Sequence, residues 1–267
     1  MAGQSTPEVW TSGEGYERYV GRWSRLVASE FIDWLGIAGG ARWLDVGCGT
    51  GTLVGTILAR SNPASVAGMD RSEAYVAHAR ARITDTRAEF RAGDAQSLPY
   101  ADNAFDAAVS GLVLNFVPDK EKAAREMARV VRPSGVVGVY VWDYAGEMQM
   151  MRLFWDAAAE LDPAAAALDE GARFGICRPE ALEALFASAG LRDVEVRAID
   201  VPTRFRDFDD YWTPFLMGDA PAPGYNMSLS QERRGALREL VRSKLPIEPD
   251  GSIELIARAW AVKGVVP

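Results

Sequence analysis

From residue 41 to about 143 the chain alternates short apolar runs with longer amphipathic stretches. ARWLDVG, SVAGMD, AEFRAGD, FDAAVSG and GVVGVYVWD have the length and β-branched content of buried strands. Between them the spacing predicts helices over 52–60, 72 to about 85, and 120–131. Strands that alternate with helices specify a parallel sheet, because parallel neighbours need crossover connections that cover both faces. Beyond 143 the pattern changes. EMQMMRLFWDAAAEL reads as a helix, Asp162-Pro163 stops it and caps a second, alanine-rich one, and RPEALEALFASAG is a helix with Gly190 as its C-terminal stop. Two late strands, VEVRAIDVPTRF and SIELIARAWAVKG, bracket about fifty residues whose one clear sheet helix is 231–244, so the sheet is expected to gain an antiparallel edge. The expected fold is therefore α/β: an open, doubly wound sheet of about seven strands, mostly parallel, with helical lid insertions at 144–178 and 206–230. Apolar residues at helical spacing over 16–35 predict a helix laid on the sheet edge. Three stretches of one domain follow: a helical cap at 1–40, a core at 41–143, and the rest of the sheet with the lid at 144–267.

Composition narrows the function. The 267 residues carry 29 Lys and Arg against 37 Asp and Glu, a formal charge of −8. Such a chain is repelled by phosphate backbones and anionic lipid, and no basic stripe offsets that repulsion, so no nucleic-acid partner is expected. The first residues lack the apolar run of a secretory leader and no later stretch reaches membrane-spanning length, which predicts a cytoplasmic protein with no membrane insertion. Cys48 and Cys177 form no CxxC pair and His78 is the lone histidine, so neither a thiolate nor a multi-histidine metal site is expected. No internal repeat is present.

The chemistry concentrates at predicted strand tips. In WLDVGCGTGTL, Gly47, Gly49 and Gly51 follow a strand and precede a helix, where missing side chains let a ligand approach backbone and the helix start offers N–H groups. The spacing is G-x-G-x-G after Asp45 instead of G-x-G-x-x-G, and an anionic side chain there suits a cationic ligand better than a pyrophosphate. The competing reading is a tight turn required only by packing. Asp70 ends the next strand, 19 residues past Gly51, where a carboxylate accepts ribose hydroxyls; a helix-capping role for it is equally good physics. Asp94 ends the third strand, placed to accept from an adenine amino group. In an open α/β sheet the crevice outside the carboxyl ends brings these three acids together.

These residues resemble the class I S-adenosylmethionine-dependent methyltransferases, in particular the small-molecule branch related to quinone-biosynthesis C-methyltransferases. LDVGCGTG is similar to that family's first motif, GMD to its ribose-binding acid, GDAQSLPYADNAFD to its adenine-side motif, and VVRPSGVVGV to its turn into the fifth strand. The resemblance implies a Rossmann-like fold and S-adenosylmethionine as cofactor, with S-adenosylhomocysteine as product. It implies Gly47 and Gly49 at the methionine moiety, Asp70 at the ribose, Asp94 with Ala95 at the adenine, and Leu112 through Asn115 on the side facing the acceptor, with Asp45, Cys48, Gly51 and Arg71 as further candidate cofactor contacts. YERYVGRWS is similar to a cofactor-covering helix in relatives and implicates Tyr16 and Arg22.

Asn115 stands where many relatives carry a histidine, so no histidine base is expected there. His78 falls on a helix and reads as an ordinary helix residue. Methyl transfer is a displacement at a sulfonium that leaves as a neutral thioether, so positioning supplies much of the catalysis. An acidic phenol, an amine or an enolate attacks with little help, whereas an alcohol needs a base, for which Asp143 and Tyr144 are the candidates. Trp142, Tyr144, Phe154, Trp155, Phe174, Tyr211, Trp212 and Phe215 cluster after the fifth strand; of these Trp142, Tyr144, Tyr211 and Trp212, with Asn115, are the candidate substrate-binding residues. The alternative is that such rings are ordinary core. Cys48 has no base to pair with and reads as a small buried thiol. Three readings stand: transfer of a methyl group to a small, planar or apolar metabolite; a silent S-adenosylmethionine-binding protein; and a nicotinamide-dependent oxidoreductase, for which the glycine spacing is wrong and a Tyr-x-x-x-Lys pair is lacking. Apolar lid residues also suit the face of a homodimer.

Overall fold

A computed structural model describes residues 21–217 and 220–267. Seven strands form one sheet in the order β3-β2-β1-β4-β5-β7-β6. They are β1 (Arg42–Val46), β2 (Ser65–Asp70), β3 (Ala88–Ala92), β4 (Phe105–Gly111), β5 (Val131–Trp142), β6 (Arg192–Phe205) and β7 (Ile253–Val265). The pairs β1–β2, β1–β4, β2–β3 and β4–β5 are parallel, and β7 runs antiparallel to β5, so the expected mixed sheet with its antiparallel edge is the one observed. The chain divides into two compact units. The first holds Ser24–Trp142, Ile176–Ile199 and Ala259–Pro267; the second holds Met1–Trp23, Asp143–Gly175 and Asp200–Arg258.

In the first unit some helices begin at a side-chain cap and others at a turn. In α1 (Arg22–Leu35), the buried Val27, Phe31, Ile32 and Leu35 recur at helical spacing. The Phe31 ring lies 4.8 Å from Tyr140 on β5, and a Cβ at Gly138 would meet Leu35 at 2.9 Å, so that glycine lets the helix lie close to the strand. No side chain caps α2 (Thr52–Arg60), which starts from the left-handed Gly51. In α3 (Glu73–Arg82) the Ser72 hydroxyl accepts from Tyr75 N–H, and in α4 (Lys120–Val130) Asp119 accepts from Lys122 N–H at 2.8 Å.

The second unit is built on rings. In α5 (Gln149–Leu161) Phe154 stacks on Phe215 at 4.4 Å with 6° between planes, and Trp155 packs 5.6 Å from Tyr225. Burying such aromatic surface gives this unit an apolar core of its own. The expected alanine-rich helix is instead a five-residue 3-10 turn, Pro163–Ala167, followed by the four-residue α6 (Glu170–Arg173). Consecutive alanines bury too little surface to hold a longer helix, and Asp169 recaps the chain by accepting from Gly171 N–H at 2.8 Å. As expected, α7 (Pro179–Ser188) of the first unit ends at Gly190, whose φ is +82°. The second unit is completed by α8 (Phe208–Trp212), α9 (Pro221–Ser228) and α10 (Gln231–Lys244).

Candidate cofactor site at the strand tips

The tips of β1, β2 and β3 carry Asp45, Asp70 and, two residues beyond the last strand position, Asp94. Parallel register sets Val46 beside Met69 and Asp70 beside Ala92, so the chain leaves all three strands at one end of the sheet. The glycine turn after β1 closes on itself. Gly47 N–H and Cys48 N–H both donate to Met69 O, at 2.7 and 2.9 Å, and Gly51 N–H donates to Cys48 O at 2.8 Å. Gly49 N–H donates to Asp70 Oδ2 at 2.9 Å. These four N–H groups have protein partners, so they form no nest for a pyrophosphate.

Two glycines of the turn have different jobs. Gly47 has φ +79°, and a Cβ there would sit 2.5 Å from a methyl of Val113, which is the packing requirement that competed with the ligand reading. Gly49, at φ +51°, has nothing within 4 Å of a built Cβ and faces open space. Asp45, four residues earlier in the chain, is 1% exposed, and among the described residues neither carboxylate oxygen has a hydrogen-bond partner. Burial, and then the charge of Asp70, push its carboxyl up to about 8; the nearby Val54 N–H, not placed for a regular hydrogen bond, opposes this only weakly. An uncompensated buried carboxyl calls for a cationic hydrogen-bond donor.

Asp70 holds backbone on both sides: Oδ2 accepts from Gly49 N–H, and Oδ1 accepts from Ser72 N–H at 2.8 Å just before α3. Its remaining lone pairs are available to hydroxyls. Asp94 is exposed and accepts from the N–H of Gln96 at 2.9 Å and from the Gln96 amide, bonds that lower its pKa, helped by the nearby Arg71 charge. Cys48 is buried; desolvation and the neighbouring Asp45 and Asp70 charges raise its pKa, which makes it a poor nucleophile. Leu112 holds a left-handed φ of +62° and donates its N–H to Tyr140 O at 2.8 Å, turning the chain out of β4. The following 3-10 turn carries Asn115, 4% exposed, whose amide nitrogen has no partner among the described residues. Trp142 ends β5 and is also buried.

The remaining candidates belong to the second unit. The Asp143 carboxylate accepts from Glu147 N–H at 2.9 Å and so caps a turn, and Tyr144 lies 5.6 Å from Phe174. Tyr211 is fully buried with its hydroxyl donating to Met150 O at 2.8 Å, and Trp212 packs within the ring cluster. Arg22 pairs with Asp210 at 3.4 Å and lies over the rings of Trp23 and Phe205. Tyr16 lies outside the described residues. Sequence reasoning missed Glu170. It is 3% exposed, accepts from the Trp155 indole N–H, and burial pushes its carboxyl up to about 7. In sequence it looked like any solvated acid near a helix start. No group of three metal-ligating side chains occurs among the described residues.

An open, mostly parallel sheet with an acid-flanked glycine turn at its carboxyl ends defines the class of α/β proteins whose ligand crevice lies outside the strand ends. Residues 44–139 match the family model described as a methyltransferase domain. The demethylmenaquinone methyltransferase of Desulfitobacterium hafniense is 37% identical over 103 residues, 37% of this chain and 41% of that protein. In structure, the YcgJ protein of Bacillus subtilis superposes with a TM-score of 0.60 at 17% identity, over 90% of this chain and 98% of that one. A phosphoethanolamine N-methyltransferase 2 of Haemonchus contortus, crystallised with phosphomonomethylethanolamine and S-adenosylhomocysteine, gives 0.61 at 18% identity, over 95% and 56%. Over this domain the chain is similar to S-adenosylmethionine-dependent methyltransferases. The chain spans about two fifths of the length of the curated relatives it matches.

Proposed function

We propose that this chain binds S-adenosylmethionine at the tips of β1, β2 and β3 and passes its methyl group, by in-line displacement, to a small, planar or apolar metabolite. The observation that carries the reading is Asp45, a buried carboxyl without a hydrogen-bond partner, four residues before the open Gly49 in the chain. Bound there, S-adenosylmethionine supplies a methyl group on a positively charged sulfur that leaves as a neutral thioether. The residues of this chain hold and orient. Asp45 accepts from the methionine ammonium, Gly49 leaves room for the chain that carries it, Asp70 accepts from the ribose hydroxyls, and Asp94 with Arg71 and Ala95 borders the adenine. Asn115 donates its unpartnered amide N–H to an oxygen of the acceptor.

Asn115 holds no titratable proton, so the acceptor must bring its own lone pair: an acidic phenol, an amine or an enolised carbon. Likeness to a demethylmenaquinone methyltransferase favours a planar ring. The acidic chain speaks against nucleic acid, and the sequence suits a cytoplasmic enzyme; no described helix is long and apolar enough to cross a membrane. The absence of a base at Asn115 also supports a second reading, a protein that binds the donor without turning it over. Incubation with S-adenosylmethionine and a panel of phenols, amines and hydroquinones separates the two. S-adenosylhomocysteine formed with one acceptor class establishes transfer; binding heat without product across the panel establishes the second reading; no binding heat with folded protein overturns both.

A further inference from the structure

Among the described residues β6 lies at the end of the sheet, bonded on one side only, to β7. Its outer edge therefore presents unpaired backbone groups, and exposed edges of this kind pair with other strands unless blocked. Pro202 blunts the far part of the strand by removing a donor, but the stretch before it contains no proline. In that stretch Val194, Val196 and Ala198 are half-buried, while Glu195 and Arg197 are exposed on the opposite face. VEVRA reads the same in character from either end: apolar, charged, apolar, charged, apolar, with charges of opposite sign.

We propose that two copies of this chain join edge to edge through β6, antiparallel, about a two-fold axis at Val196. In that register Val196 faces Val196 of the second copy, Val194 faces its Ala198, and Glu195 faces its Arg197, twice over by symmetry. Further out, Arg192 faces Asp200, which also pairs with Arg258 at 2.7 Å. The two neighbouring symmetric registers are worse. A shift one way sets Glu195 against Glu195 and the other way sets Arg197 against Arg197, and like charges directly opposite destabilise a strand pair. Glu195 accepts from the Trp34 indole N–H at 3.1 Å and its other oxygen pairs with Lys263 at 3.2 Å, yet the side chain remains 55% exposed and so accessible to a further cation. Backbone bonds supply the affinity and the charges select the register. A ladder this short buries less than the roughly 1,200–2,000 Å² of a stable interface, so the pair forms reversibly at high protein concentration.

The test is disulfide trapping. Directly opposed antiparallel residues have Cα atoms about 4.5–5.5 Å apart, within the span of a disulfide. Val196→Cys is expected to give a covalent dimer under mild oxidation, since Cys48 and Cys177 are buried and do not compete. Glu195→Cys and Arg197→Cys are expected to cross-link when mixed but not singly. In sedimentation, Arg197→Glu should weaken self-association at least about tenfold, and adding Glu195→Arg should restore it. Proteins whose dichroism melts match the parent but which stay monomeric, or which cross-link equally at all three positions, overturn the proposal. Self-association unmoved by the charge reversal does so as well.

Discussion

Gly47 and Gly49 sit two residues apart in the same turn, yet substitution should separate them cleanly. Gly47→Ala drives a methyl into Val113 at a φ of +79°, combining overpacking with left-handed strain, and should cost about 3 kcal/mol or more of stability. At Gly49 the φ of +51° is one that alanine reaches for about 1–2 kcal/mol, and the new methyl meets no protein atom. Gly49→Ala should therefore fold and lose donor affinity, whereas Gly47→Ala loses the fold first. Thermal melts paired with donor titrations check this; a Gly49→Ala protein that binds the donor as the parent does contradicts the assigned cradle. The same scale shows what the amino-acid string could not disclose. That Asp45 is aligned with a glycine turn was legible from WLDVGCGTG, but its burial without a partner depends on how β1 lies between β2 and β4.

Among the elements, the short helices α6, α8 and α9 were not delimited by the pattern, and α6 carries the buried acid Glu170 against the α5 indole of Trp155. The groups around it are Arg173, which favours its ionised form, and Asp169, which opposes it and is itself held by Arg152 at 2.6 Å. Its folded pKa lies above its ordinary value of 4.5, at about 7, so its contribution to stability is complete below 4.5 and fades as pH rises through 7. Glu170→Gln keeps an oxygen for the indole and cannot ionise, so the melting temperature of the variant relative to the parent should climb across that interval. A difference that stays flat with pH removes Glu170 from the account. Elements with strong periodicity or caps were readable: β1 to β5, α2 to α4 and the Gly190 stop all stand where runs of alternating character put them. The 3-10 turn at Pro163–Ala167 was not, since four alanines satisfy a helix and a turn equally, and the decision rests on the caps at Asp162 and Asp169. Aromatic clustering after β5 was visible, but its partition was not: Trp142 belongs to the sheet unit, and Tyr211 and Trp212 are packed into the ring core of the other.

For the molecule as a whole, two units with separate apolar cores and a net charge of −8 describe a protein that concentrates its unmet electrostatic need at one place. Surface carboxylates such as Asp33, Asp85 and Asp106 are met by arginines, and Asp70 and Asp94 by N–H groups. Asp45 is the described carboxylate with both oxygens buried and unpartnered. If a donor ammonium completes it, binding must displace a proton below the raised pKa of about 8. The decisive measurement is calorimetric titration with S-adenosylmethionine between pH 6 and 8, in buffers of different ionisation enthalpy, for the parent and for Asp45→Asn. The parent should bind more tightly as pH rises and release a proton on binding, while Asp45→Asn should bind at least about tenfold more weakly with no proton released. Equal affinity in the two proteins, or binding without proton release, contradicts the site.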